Sequence, residues 1–168
     1  MEADALRAIQ KPIKDRYREN PDAAVITLRA EGKIGEGVSC SVETGRALVE
    51  AGLHPATGGT GLQVCSGDML LQALVACAGV TLNAVATALG LPVRDATVKA
   101  EGDIDFRGTL GVDKEAPVGF TDIRLKFDIE GALAPDDLAK LIRLTERYCV
   151  VYQTLLNSPR FEVVGSVS

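Results

Sequence analysis

The chain contains four cysteines and a single histidine, and these residues limit the chemistry that it can perform. A structural zinc site needs about four ligands at close spacings. The chain has no C-x-x-C pair, and His54 is its only histidine. The glycines of GGTG at 58–61 do not have the spacing of a phosphate-binding loop. We therefore expect no metal site and no organic cofactor.

Redox chemistry between thiols is the reaction class that needs neither a cofactor nor a histidine. A thiolate attacks a peroxide to give a sulfenic acid, and a second thiol condenses with it to form a disulfide. Cys77 and Cys149 lie in two separate apolar stretches and are the natural pair to consider. Two alternatives stay open from the residues alone. The cysteines are small hydrophobic core residues, or a cysteine nucleophile uses His54 as its base.

The element that must position Cys77 is the longest apolar stretch of the chain, Cys65 to Pro92. We predict one helix of about six turns, with Ser66 as its N-cap and Gly90 as its C-terminal stop. Asp68 falls in the first turn, where a negative charge suits the helix dipole. The stretch is apolar on nearly every side, which is typical of a helix buried by the rest of the chain or by a second subunit.

A membrane span is the alternative for this stretch, since about 20 apolar residues suffice to cross a bilayer. Asp68 and Asn83 lie within it, however, and the remainder of the chain has the composition of a soluble protein. The net charge of −5 argues against a nucleic-acid-binding surface. Residues 1–20 are charged and lack the apolar core of a signal peptide. We therefore expect a cytoplasmic protein, in which a disulfide is usually catalytic or redox-sensing.

A second helix, predicted from Pro135 to Ser158, carries Cys149 on its apolar face. Residues 1–20 form a predicted amphipathic helix that Pro12 kinks or divides. We therefore divide the chain into an N-terminal helical arm at 1–22 and a main domain at 23–168. Period-two patterns predict strands at 24–30, 38–42, 96–106 and 120–130, with a short closing strand at Phe161–Val164.

The run SGDMLLQALVACAGVTL around Cys77 resembles the signature helix of the OsmC/Ohr family, the osmotically induced and organic-hydroperoxide-resistance proteins. The run ERYCVVYQTL around Cys149 resembles the second cysteine helix of that family, and the order of helices and strands agrees. The resemblance implies an α+β, OsmC-like two-layer fold in which a β-sheet wraps around two long central helices. It also implies an intertwined homodimer with active sites at the interface.

The same resemblance implies roles for individual residues. Cys77 matches the reactive cysteine that attacks the peroxide, and Cys149 matches the resolving cysteine. Asp68 falls where the family usually has a glutamate, which orients the arginine that activates the thiolate. Arg46 is the best match for that arginine by the pattern of the OsmC branch, and Arg29 by the pattern of the Ohr branch.

The resulting hypothesis is a cytoplasmic thiol-dependent peroxidase that reduces organic hydroperoxides and is regenerated by an external dithiol. An apolar pocket between the helices would favour fatty or aryl hydroperoxides, because burial of an apolar tail contributes to binding. The principal alternative is a non-catalytic or small-molecule-binding protein with the same fold. A cysteine hydrolase or acyl-transferase that depends on His54 is a third class.

Overall fold

The computed structural model describes residues 3–34, 40–42, 51–62 and 64–167, with side chains for 8–26, 51–62 and 64–167. The helices in these ranges are α1 (Ala3–Glu19), α2 (Ser66–Leu89), α3 (Phe106–Thr109), α4 (Pro135–Tyr148) and α5 (Val150–Leu156). The strands are β1 (Val25–Ile34), β2 (Cys40–Val42), β3 (Ala51–Gly52), β4 (Val64–Cys65), β5 (Val93–Asp105) and β6 (Phe120–Gly131). Two 3₁₀ turns lie at Pro21–Ala24 and Pro55–Thr57.

The main sheet is antiparallel and has the strand order β2-β1-β5-β6, while β3 and β4 form a separate parallel pair. Side chains of β5 alternate between the two faces of the sheet, as a strand requires. Those at Ala96, Val98 and Ala100 are buried. Helix α2 packs against β1 and β5 of the sheet and also contacts α4 and α5. This mixture of a helical layer and a sheet confirms the predicted α+β fold.

Helix α2 agrees with the predicted helix except at its first residue. Cys65 is the N-cap and Ser66 already belongs to the helix, so the prediction of Ser66 as the N-cap was wrong. Gly90 ends the helix with a φ of 63°, the left-handed conformation that favours glycine, as predicted. By length and composition alone α2 could cross a membrane, but the core helix of a soluble protein has the same properties.

The predicted second helix is interrupted. It consists of α4 and α5, and Cys149 between them has an extended backbone with φ −72° and ψ 108°. The backbone N–H of Cys149 donates to the carbonyl of Thr145 at 2.9 Å and ends α4. The sulfur of Cys149 accepts from the N–H of Tyr152 at 3.5 Å and begins α5. The prediction of one continuous helix was therefore wrong, because Cys149 caps two helices.

The predicted closing strand at Phe161–Val164 is also absent from the structure of this single chain, where residues 158–167 have no regular secondary structure. Phe161, Val163 and Val164 are more than three-quarters exposed. Strands β5 and β6 confirm the two predicted strands before the second helix, with β5 beginning three residues earlier. Pro12 lies inside α1, which is described as one helix from Ala3 to Glu19.

Helix α1 packs on the glycine-rich loop rather than standing apart from the fold. Tyr17 is fully buried, and its hydroxyl donates to the carbonyl of Ala56 at 2.8 Å. Gly58 has a φ of 94°, and a Cβ placed there would lie 2.5 Å from the side chain of Ile9. The glycine at this position therefore permits the close approach of α1. The proposed boundary at residue 22 stays a prediction, although Tyr17 belongs to the same core as α2.

Candidate active site

Cys77 lies in the middle of α2 and faces the junction between α4 and α5. The Cys149 thiol and the Thr81 side chain are among the groups near enough to its sulfur to lower the pKa of Cys77. The backbone N–H groups of Val150 and Val151, which open α5, act on the pKa of Cys77 in the same direction. The structure therefore brings the two predicted reactive cysteines together, and it surrounds Cys77 with hydrogen-bond donors.

These surroundings change the pKa values of the two thiols in opposite directions. Burial acts to raise the pKa of Cys77, but the hydrogen bonds from Val151, Cys149, Val150 and Thr81 outweigh it and hold the pKa below its ordinary value. Burial raises the pKa of Cys149 to about 11, and the hydrogen bond and negative charge of Cys77 add to that effect. When one proton is lost from the pair, the thiolate is therefore on Cys77 and the remaining proton is on Cys149.

The break between α4 and α5 is the feature that makes this arrangement, and it was not predicted from the sequence. A continuous helix would use the amides of Val150 and Val151 for its own backbone hydrogen bonds. At the break those amides belong to the first turn of α5, where they have no partner within the helix, and they contribute to the lowered pKa of Cys77. Gln153 supports the junction, because its Nε2 donates to the carbonyl of Glu146 at 2.9 Å. The run ERYCVVYQTL contains neither glycine nor proline. The local sequence signal for the break is the pair of β-branched residues after Cys149, Val150 and Val151, because such residues slightly disfavour a helix.

Asp68 is not part of this constellation within one chain. Nine residues of helix separate it from Cys77, which is a rise of about 13 Å and two and a half turns. The two side chains therefore project from nearly opposite sides of α2. Asp68 is partly buried, and burial raises its pKa while His54 opposes that rise.

Neither of the two arginine candidates has a described side chain. Arg46 lies outside the described residues. Arg29 lies in β1 in register with Glu101 of β5, and its side chain lies outside the described ones. The roles of both arginines and of Asp68 in activating the thiolate stay predictions.

The ring of His54 makes two contacts that stabilise its own part of the fold. Its Nδ1 accepts from the N–H of Ala56 at 3.0 Å and caps the turn at Pro55–Thr57. The ring also stacks on Phe106, with a centroid separation of 5.2 Å. Nδ1 is thus occupied, and in the neutral ring Nε2 carries the hydrogen. This arrangement does not favour His54 as the base for a cysteine nucleophile.

An apolar cavity of about 460 Å³ lies between α2, β6, α4 and α5, and neither Cys77 nor Cys149 is among the residues that line it. Leu74, one helical turn before Cys77, and Tyr152, three residues after Cys149, both form part of its wall. Glu146, Thr121 and Asp122 supply its polar lining. The other wall residues are apolar: Phe120, Ile123, Leu125, Phe127, Ile142, Leu155 and Leu156. Among the described residues, no group of three or more His, Cys, Asp or Glu side chains is placed to hold a metal ion.

The two-layer α+β fold places Cys77, with a lowered pKa, next to Cys149, with a raised pKa. The fold and the site therefore define a protein with two interacting cysteines of unequal acidity. The family model for OsmC-like proteins matches residues 59–164, which is more than half of the chain. The chain therefore belongs to the OsmC-like family, and the resemblance seen in the sequence is confirmed.

Two solved structures share the fold. An OsmC-like hydroperoxide resistance protein from Jannaschia sp. CCS1 superposes with a TM-score of 0.60 at 15% identity, covering 86% of this chain and 97% of that one. An OsmC-like protein from Mycoplasma pneumoniae gives a TM-score of 0.56 at 16% identity, covering 80% of this chain and 86% of that one. At the level of sequence, no protein of curated function matches this chain.

Proposed function

We propose that the protein is a thiol-dependent peroxidase that reduces organic hydroperoxides in the cytoplasm. The observation that carries the proposal is the contact between Cys77 and Cys149, in which the pKa of Cys77 is lowered and that of Cys149 is raised. A peroxidase needs one thiolate and one thiol in this arrangement, because the first attacks and the second resolves. Membership of a family that includes hydroperoxide resistance proteins supports the same reaction.

The reaction starts with the Cys77 thiolate, which attacks the terminal oxygen of the hydroperoxide. The O–O bond breaks, the alkoxide takes a proton from solvent and leaves as an alcohol, and Cys77 becomes a sulfenic acid. The Cys149 sulfur then attacks the Cys77 sulfur, water leaves, and a disulfide forms. An external dithiol reduces that disulfide by two thiol–disulfide exchanges and is itself oxidised.

The apolar cavity near the helices that flank the cysteine pair supports an organic rather than an inorganic peroxide. Its wall reaches both cysteine-bearing elements through Leu74 and Tyr152. Each apolar carbon of a substrate tail buried there contributes roughly 0.8 kcal/mol to binding, and hydrogen peroxide has no such tail. We expect cumene hydroperoxide to react faster than hydrogen peroxide.

A second copy of the chain completes the proposal. Asp68 cannot reach Cys77 along its own helix, so an Asp68–arginine pair that serves this thiol would come from a partner subunit. The exposed apolar side chains of Phe161, Val163 and Val164 support such an assembly, since a second copy would remove them from water. Light scattering of the purified protein tests the homodimer, and a monomer at micromolar concentration contradicts it.

The test of function is stopped-flow oxidation of the reduced protein by cumene hydroperoxide, followed by mass mapping of disulfides. Rapid oxidation with a Cys77–Cys149 bond supports a peroxidase. Slow oxidation, or a bond at Cys65, contradicts it. A matched Cys65→Ser variant should retain the wild-type rate, which would show that the measured oxidation does not occur at Cys65.

The second candidate is a non-catalytic protein that binds a small apolar molecule. The cavity of about 460 Å³ favours it, because such a volume is in the range of ligand sites. The two candidates differ in the state of Cys77. A binding protein requires no thiolate there, so an alkylation profile with an ordinary cysteine pKa of about 8.5 supports binding alone.

A further inference from the structure

We propose that Gln153 is a positioning residue of the cysteine pair, whose side-chain amide holds the break between α4 and α5 and thereby fixes Cys149 beside Cys77. The inference deepens the proposed peroxidase function and rests on it for its kinetic consequence. Gln153 lies in α5, one turn after Cys149, and its side chain is partly buried.

The side chain of Gln153 occupies an acceptor that a continuous helix would use for its own backbone. Its Nε2 donates to the carbonyl of Glu146 at 2.9 Å. In a continuous helix that carbonyl would accept from the N–H of Val150, four residues later. Cys149 has a ψ of 108°, whereas helical residues have a ψ of about −42°, so the chain leaves the helical path just before Val150. The Gln153 amide therefore replaces the Val150 amide at Glu146.

Both ends of the Gln153 amide have partners, which fixes its orientation. Its Oε1 accepts from the Nδ2 of Asn157 at 3.3 Å, while its Nε2 donates to Glu146. The backbone N–H of Gln153 donates to the carbonyl of Cys149 at 2.9 Å. One residue thus connects the last turn of α4, the break itself and the end of α5.

The bond between Gln153 and Glu146 favours one of two arrangements of this junction. In the observed arrangement, the sulfur of Cys149 accepts a backbone N–H of α5 at 3.5 Å, and Cys149 is only 1% exposed. Cys77 packs against the same hydrophobic cluster. Without the Gln153 donor, the Glu146 carbonyl would gain most by recovering the Val150 N–H, which makes the helix continuous and turns Cys149 away from its present position.

Such a change would affect both thiols of the pair. Moving Cys149 away from Cys77 would slow the closure of their disulfide, because the two sulfurs would meet less often in the geometry of attack. The Val150 amide would return to the helix backbone, and that amide contributes to the lowered pKa of Cys77. Loss of the Gln153 donor should therefore slow closure and raise the pH at which Cys77 becomes reactive.

The experiment follows closure of the Cys77–Cys149 disulfide by diamide in the reduced full chain, with mass mapping of the product. One sulfur adds to the N=N bond of diamide, and the other then displaces the hydrazine, so no peroxide is needed. Gln153→Met keeps the length of the side chain and removes its donor. Gln10→Met is the matched control, because Gln10 also donates to a backbone carbonyl, that of Thr57 at 3.4 Å, but joins α1 to the glycine-rich loop.

We expect Gln153→Met to slow closure by roughly 3- to 10-fold, as for the loss of one hydrogen bond, whereas Gln10→Met should stay within about twofold of the wild type. The pH profile of Cys77 alkylation by iodoacetamide should move to higher pH in Gln153→Met alone. Gln153→Asn keeps the amide but shortens its reach by one methylene, and it should behave as Gln153→Met does. Urea denaturation should show similar losses of stability for Gln153→Met and Gln10→Met.

Wild-type closure and a wild-type pH profile in Gln153→Met or Gln153→Asn overturn the inference. Equal changes in Gln10→Met also overturn it, because the effect would then follow stability alone. The oxidation rate with cumene hydroperoxide is measured in the same proteins. If diamide closure depends on Gln153 but the wild type does not consume cumene hydroperoxide, the role of Gln153 stands and the proposed peroxidase function fails.

Discussion

The amino end of α2 and its middle both carry a cysteine, but the groups around the two thiols have different roles. Cys65, His54 and Asp68 belong to the amino end, and these residue types are common in catalytic sites. There, however, His54 caps a turn and stacks on Phe106. In the middle of the helix, Cys77 is surrounded by a hydroxyl, a second thiol and two backbone amides.

The comparison shows that residue type is a weaker guide to chemistry than the directions of hydrogen bonds. At the amino end, the polar ring of His54 satisfies the backbone of its own loop. At Cys77, by contrast, groups of α2 and α5 together lower the pKa of one sulfur, and Cys149 presents the thiol that can react with it. Substitutions at the amino end and in the middle of α2 should therefore have different effects on activity and stability.

The largest expected effect is the loss of activity in Cys77→Ser. A hydroxyl is not ionised at neutral pH, so the first oxidation step should slow by at least about 1,000-fold, or ~4 kcal/mol in the barrier. Cys65→Ser should stay within about twofold of the wild type, as expected for a thiol outside the reaction. Stopped-flow oxidation by cumene hydroperoxide measures both variants. A large loss in Cys65→Ser would remove the contrast between the amino end and the middle of α2.

The next effect separates the two members of the cysteine pair. Cys149→Ser should keep the first oxidation of Cys77 within roughly threefold of the wild type but lower steady-state turnover with dithiothreitol by about 100-fold, because no disulfide can form. A sulfenic acid should then accumulate on Cys77 and be trapped by dimedone. Undiminished turnover would mean that the reductant attacks the sulfenic acid directly.

At the amino end, His54→Ala should lower the free energy of unfolding without changing the rate of peroxide oxidation. It removes a cap and a ring contact, which together cost about 1–2 kcal/mol in the free energy of unfolding. Urea denaturation measures this loss, and peroxide oxidation should be unchanged. His54→Asn keeps a cap acceptor and should recover part of the stability. If the wild-type protein had hydrolase activity and a folded His54→Ala protein had lost it, the cysteine hydrolase would be favoured instead.

The smallest expected effect concerns the contact between α1 and the glycine-rich loop. Tyr17→Phe removes the hydroxyl that donates to Ala56, and we expect a loss of about 1 kcal/mol in the free energy of unfolding. Tyr148→Phe is the matched control, because Tyr148 is 58% exposed. It should unfold at the same urea concentration as the wild type. Equal values for the two variants would show that the buried bond adds nothing to stability.

Periodicity and family resemblance together predicted the α+β class, helix α2, strands β5 and β6, and the approach of Cys77 to Cys149. These features depend on apolar repeats and on motifs that are local in the sequence. The break at Cys149 was missed because its local signal, the β-branched pair Val150 and Val151, disfavours a helix only slightly, while the apolar repeat continues through it.

The closing strand was mispredicted for a related reason. The run Phe161–Val164 has the composition of a strand, but a strand needs a neighbour with which to exchange backbone hydrogen bonds. The alternation of side chains predicts the conformation that such a segment adopts when paired. It does not say whether the pairing partner belongs to the same chain.

The buried hydroxyl of Tyr17 has a consequence for the order in which the chain folds. Tyr17 and Ala56 are 39 residues apart in sequence, so their bond closes a long loop. Closing it costs chain entropy before the contact is gained. During synthesis α1 emerges first, yet its docking site exists only after the loop and the neighbouring part of the core have formed. We therefore expect α1 to be among the last elements to acquire protection against amide hydrogen exchange.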